Sequence, residues 1–158
     1  MTVPHPKSAD AAGATAPERF PRPSPWQGQG PVVAVVALGG GIGAGARYAA
    51  SLLWQVPTGG FPWTIFWVNM IGCAVIGVFM VVITDVWAAH RLVRPFFGTG
   101  VLGGFTTFST YAVGIQELLE AGHPRTALAY LFATPLGALT AVWLGMTAAR
   151  RALAWRQR

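Results

Sequence analysis

No acidic or histidine side chain lies near the middle of any of the long apolar runs in this 158-residue sequence. The five acids are Asp10, Glu18, Asp85, Glu117 and Glu120, and the histidines are His5, His90 and His123. A proton-coupled pump is built around a titratable group inside the membrane, so that class is disfavoured. No His, Cys, Asp and Glu set is spaced to hold a catalytic metal. No serine has a base beside it in an apolar run to activate it. Enzymatic chemistry is therefore not expected.

Cysteine is nearly missing too. Cys73 stands alone, cannot form an intrachain disulfide, and reads as a small packing residue. Nucleotide motifs are absent on inspection. Gly41, Gly43 and Ala46 in VVAVVALGGGIGAGARY (32–48) imitate a dinucleotide fingerprint. That fingerprint needs an acid about 20 positions on for the ribose, and no acid occurs before Asp85. The better account is close helix packing through small-xxx-small surfaces, Gly39 with Gly43 and Ala46, or Gly41 with Gly45.

What the chain has instead is apolar length. It is 53% hydrophobic and 10% charged, against about 25% charge in soluble domains. Runs at 31–54, 61–84, 95–119 and 127–149 each exceed the roughly 20 residues that span a bilayer core as a helix. Between Arg22 and Asp85 the only charge is Arg47. Four transmembrane helices follow, in an all-α membrane protein with a four-helix domain at 31–149.

Residues 1–30 differ in kind. Pro4, Pro6, Pro17, Pro21, Pro23 and Pro25 lie among small residues, a composition that predicts a disordered tail and lacks a signal-peptide core. Residues 150–158 form a short basic tail. Net charge is +6, and the basic residues gather at helix ends, so topology explains them better than nucleic acid does. With the N-terminus inside, Lys7, Arg19, Arg22, Arg91, Arg94, Arg150, Arg151, Arg156 and Arg158 are cytoplasmic and only Arg125 is outside. Both termini are expected in the cytoplasm of a bacterial cell, with the chain crossing its plasma membrane.

Residues 103–111, GGFTTFSTY, interrupt the third run. Gly103 is about 12 Å from Pro95 at helical rise, so the stretch straddles the membrane midplane. Paired glycines weaken a helix, and Thr106, Thr107, Ser109 and Thr110 compete for its backbone hydrogen bonds. A break at that depth is tolerated where it is buried in protein or lines a cavity. Phe108 and Tyr111 share a face if helix resumes, and aromatic ring edges are partly positive. Hydroxyls and ring edges together suit a dehydrated small anion. Asn69 is either a contact between helices or an amide donor to that anion. Arg47 sits about 24 Å into the first helix, where it either snorkels to the interface or draws anions to a pore mouth. Tyr130 and Thr134 are a polar i,i+4 pair that extends the track.

These stretches resemble the Fluc or CrcB family of small fluoride channels. The resemblance is carried by GGGIGAGARY (39–48), PWTIFWVNMIG (62–72) and, most specifically, GTGVLGGFTTFSTY (98–111), and it covers residues 31–149. It implies an antiparallel dimer in the lipid bilayer, with the third helix broken at the midplane. Two pores at the interface would pass fluoride passively and reject chloride. It also implies a structural Na+ at the dimer centre, held by the backbone carbonyls of Gly103 and Thr106. Asn69, Phe108, Ser109 and Thr110 match pore-lining positions, Arg47 the vestibule arginine, and Tyr130 and Thr134 the polar track. Tyr111 stands where the family has a second pore phenylalanine. The added hydroxyl would bind fluoride differently, slow it, or mark a degenerate pore.

The charge asymmetry bears on the dimer. A chain that inserts in both orientations needs balanced charge, so this one is expected to insert one way and pair with an oppositely oriented paralogue; the alternative is that the tail's charges are translocated regardless and a homodimer forms. Two other functions compete: a four-helix drug antiporter, which needs a membrane carboxylate, and a non-transporting assembly protein.

Overall fold

The computed structural model describes residues 28–85 and 91–156. The proline-rich stretch up to residue 27, His90 and the last two residues lie outside them. All described secondary structure is helical: α1 (Gly30–Leu53), α2 (Trp63–Asp85), a π-helical segment (Pro95–Leu102), the single turn α3 (Gly103–Phe105), α4 (Ser109–Glu120) and α5 (Pro124–Arg156).

Three of these helices are long and apolar enough to cross a membrane: Gly30–Leu53, Trp63–Thr84 and Pro124–Trp155. They match the first, second and fourth apolar runs. The remaining run forms the π segment, α3 and α4 in succession, and none of those pieces alone has spanning length. Large apolar side chains face outward all along the three long helices, among them Leu38, Ile42, Ile71, Leu136, Leu139 and Leu144. Water does not tolerate such a surface in one contiguous sheath. The chain is a multi-pass membrane protein.

Proline and glycine set the element ends. Pro31, Pro95 and Pro124 lie in the first turns of their helices, where the missing N–H would be unpaired in any case. Gly122, at φ +78°, closes α4, and the His123 N–H reaches back to the Leu118 carbonyl at 2.8 Å. α5 continues past Ala149 to Arg156, so the basic C-terminal residues up to that point extend a helix.

Packing divides into two layers. α1 lies on the π segment and α3, while α2 lies on α5, which also holds α4. The α1 contact is backbone on backbone. A methyl group on Gly43 would collide with the Val101 carbonyl and the Phe105 amide, and one on Gly104 with the main chain of Gly40. The expected small-residue surface is thus the one through Gly39 and Gly43. The alternative pair, Gly41 and Gly45, meets nothing within 4 Å, and Ala46 is exposed. These three residues lie on the face of α1 turned away from the third run. A small aromatic core of Tyr111, Leu118, Ala127 and Tyr130, with Phe61, Ile65, Phe66 and Ile115 around it, ties α2, α4 and α5 together.

Candidate functional site

Helical order stops after Phe105 and resumes at Ser109. Thr106 turns to an extended conformation, φ −74° and ψ 153°. Its own N–H and hydroxyl still point back to the Leu102 carbonyl, at 3.0 and 2.8 Å. Beyond it the main chain finds partners elsewhere. The Asn69 amide pairs with Thr107 at both ends: Nδ2 donates to the Thr107 carbonyl at 3.1 Å, and the Thr107 N–H donates to Oδ1 at 2.9 Å. The Thr107 hydroxyl accepts from the Thr110 N–H at 3.1 Å and donates to the Thr110 hydroxyl, also at 3.1 Å. It lies 3.2 Å from the exposed Ser109 hydroxyl. Thr107 thus caps the start of α4 from one residue further out than a standard N-cap.

These bonds strand two carbonyls. In a continuous helix the Gly103 carbonyl would take the Thr107 N–H, and the Thr106 carbonyl the Thr110 N–H. Both N–H groups are used by side-chain oxygens instead. The two carbonyls singled out in the sequence as cation ligands are therefore released from helical pairing. A hard cation takes oxygen ligands of this kind, so the residues present fit a sodium ion.

Arg47 is turned inward. Its Nε donates to the Gly104 carbonyl at 3.3 Å and its Nη1 to the Thr110 hydroxyl at 3.4 Å. One guanidinium thus grips the third run on both sides of the break. The opening beside it is a cavity of about 430 Å³ lined by Ser51, Trp54, Gln55, Thr64 and Thr110, among others.

A larger cavity, about 730 Å³, opens on the other side of the break. Asn69, Gly103, Thr106, Thr107, Phe108, Tyr111 and Thr134 line it, with Cys73 and the α5 residues Leu131, Phe132, Pro135 and Ala138. Phe108 is 79% exposed, whereas Tyr111 is buried. Their ring centroids are 5.6 Å apart, and Tyr111 meets Tyr130 edge-on at 5.1 Å. The Tyr111 hydroxyl donates to the Leu131 carbonyl at 2.7 Å.

Two hydroxyls here have no partner: Tyr130 Oη, on a side chain with no exposed surface, and Thr134 Oγ1, on a residue 5% exposed. Thr84, Thr140 and Thr147 each donate to the carbonyl four residues back in their helices. Thr134 does not. Leaving a buried hydroxyl unpaired costs about 1–3 kcal/mol, so each is a donor whose pairing the described residues do not supply.

The structure therefore brings Asn69, Gly103, Thr106, Phe108, Tyr111 and Thr134 to one cavity, with Tyr130 immediately behind Tyr111. Thr110 lines the smaller cavity and holds Arg47, while Ser109 is exposed and lines neither cavity. Sequence reasoning left three residues out of the candidate site. Thr107 holds the break on both sides, and its spacing of three from Thr110 is the signal that would have found it. Gly104 supplies the carbonyl for Arg47 and the close approach to α1. Cys73, read as packing, lies on the cavity wall.

Fold and site together define a helical membrane protein whose third apolar run is interrupted beside a cavity carrying unpaired donors. Comparison with known families agrees. The family described as "CrcB-like protein, Camphor Resistance (CrcB)" matches residues 34–146, and the chain belongs to it. It is 75% identical over 134 residues to the fluoride-specific ion channel FluC 2 of Streptomyces avermitilis, covering 85% of each chain. It is 68% identical over 157 residues to FluC 1 of Streptomyces coelicolor, covering 99% of each. A more distant relative, FluC of Paracoccus denitrificans, is 40% identical over 115 residues, 73% of this chain and 91% of that one.

Proposed function

We propose that this chain is a fluoride-specific channel that lets fluoride leave the cytoplasm passively. The observation that carries the reading is the pair of buried, unpartnered hydroxyls, Tyr130 and Thr134, beside a cavity whose walls hold no carboxylate. Fluoride is a small, hard anion that gives up its water only to strong donors. Hydroxyl protons, the second N–H of the Asn69 amide and the ring edges of Phe108 and Tyr111 are such donors.

Fluoride enters cells as the neutral acid when the surroundings are acidic, and ionises inside. A negative interior then drives the anion outward by about 2.3 kcal/mol per 100 mV. Leak alone lowers intracellular fluoride and its toxicity, and no coupled proton is required.

The break at 106–108 is read as lying at the membrane midplane, where an unwound segment must line a cavity or be buried. The working unit is read as an antiparallel dimer whose second chain closes the open side of the large cavity. The unpaired Gly103 and Thr106 carbonyls support a Na+ ion shared between the two chains. When bound, it would neutralise the converging carbonyl dipoles of the unwound segments. Both termini are read as cytoplasmic. The loop between α1 and α2, at 56–60 and Pro62, and the second half of α4, at Gly114, Glu117 and Leu118, with Ala121 just beyond it, line one cavity, which supports placing Arg125 and that end of the bundle together at the opposite face.

The deciding experiment is fluoride efflux from liposomes containing only this chain, with sodium present and chloride as control. Rapid release of fluoride without chloride supports a self-sufficient channel. Release of both ions, or of neither by a folded dimer, removes the reading for the homodimer. The charge asymmetry favours a second arrangement, pairing with an oppositely inserted paralogue. Efflux that appears only on co-reconstitution would select it.

A further inference from the structure

Pro135 lies inside α5. It has no N–H, so the carbonyl of Leu131, four residues back, loses its helical donor. That carbonyl is the one that accepts the Tyr111 hydroxyl, at 2.7 Å. A side chain from α4 thus supplies the hydrogen bond that a proline removes from α5. Leu131 and Pro135 both line the large cavity, and Thr134 stands between them.

We propose that Tyr111 is a positioning residue: its hydroxyl pins α5 at the Leu131–Pro135 gap, and so fixes the wall that carries Tyr130 and Thr134. A phenol has one proton. Here that proton is directed to a backbone carbonyl, so it is not offered to an anion. What Tyr111 presents to the cavity is its ring, which sits 5.6 Å from that of Phe108 and 5.1 Å from that of Tyr130. On its exposed side Tyr111 is equivalent to phenylalanine. The tyrosine is matched to the proline, and it does not mark a degenerate pore.

The role in conduction rests on the fluoride-channel reading, whereas the Tyr111–Pro135 partnership does not. Both are tested by one mutant cycle on the full chain: Tyr111→Phe, Pro135→Ala and the double variant, with Pro135→Gly as a second way to restore the N–H. Thermal midpoints in detergent and fluoride and chloride efflux from liposomes are read for each. Tyr111→Phe in the parent should lower the midpoint by roughly 2–4 °C, the shift expected for one lost hydrogen bond in a chain of this size. It should also slow fluoride efflux several-fold or raise chloride leak. In either Pro135 background, where residue 135 supplies the N–H, the same change should leave midpoint, efflux and selectivity nearly unmoved.

Equal effects of Tyr111→Phe in both backgrounds would overturn the proposal, because the hydroxyl would then act elsewhere, including on the anion. No effect of Tyr111→Phe on midpoint or flux in the parent would overturn it without need of the double variant. If the parent releases no fluoride, the channel reading fails, and the midpoints decide alone whether Tyr111 serves Pro135.

Discussion

The side-chain amide of Asn69 in α2 meets the main chain of Thr107 at both ends, accepting its N–H at 2.9 Å and donating to its carbonyl at 3.1 Å. An asparagine is the smallest side chain that can imitate a strand neighbour in this way, with donor and acceptor in one plane. Its position therefore decides where the third run leaves helical geometry. Asn69 lines the large cavity as well.

Replacing Asn69 by alanine should unpair both Thr107 groups, at about 1–3 kcal/mol for each group left unsatisfied. Fluoride efflux should fall below detection. Asn69→Asp keeps the acceptor but brings a charge, and should also fail. Efflux at the parent rate from Asn69→Ala would remove this residue from the pathway.

Phe108 makes a different prediction, because it is exposed within the single chain. Phe108→Leu should change the thermal midpoint of the protomer little, within about 0.5 kcal/mol as for other exposed sites, and still abolish selective flux. A variant that conducts normally would place the anion route away from this ring.

Arg47 should not be replaceable by lysine. Two guanidinium nitrogens reach the Gly104 carbonyl and the Thr110 hydroxyl, and a single ammonium lacks that fork. Arg47→Lys should lower both stability and flux, with the loss of flux persisting at saturating fluoride. If high fluoride restored the rate fully, Arg47 would only concentrate anions at the mouth.

Gly43→Ala should be among the most damaging single methyl additions. Its new carbon would meet the Val101 carbonyl and the Phe105 amide, and overpacking of this sort costs about 1–3 kcal/mol. Gly41→Ala and Gly45→Ala point into open space within the chain and should leave the protomer's midpoint unchanged. Any effect they have on dimer yield would place that face of α1 at a subunit contact.

Orientation can be read from labelled termini. The nine cytoplasmic basic residues implied by the sequence against Arg125 alone predict that tags at both ends are protected in right-side-out vesicles. Equal labelling from both faces would mean dual insertion and a homodimer.

Much of this protein was legible in its residues. Apolar length marked the spanning helices, because a bilayer core demands about 20 residues without charge, and a run with one arginine in 62 residues has no soluble counterpart. GGFTTFSTY announced trouble for a helix by its glycines and hydroxyls alone. Tertiary structure decided what those residues do to one another. Spacing along the chain could not show that Asn69 pairs with Thr107, that Arg47 turns inward, or that Gly43 and not Gly45 faces a neighbour, because each depends on which helix lies beside which. The clearest case is Tyr111. In sequence it was a phenylalanine position with an unexplained hydroxyl. Only the packing of α4 against α5 brings that hydroxyl to a carbonyl stranded by a proline 24 residues away, and a hydrogen bond exists only where two chain segments meet at contact distance.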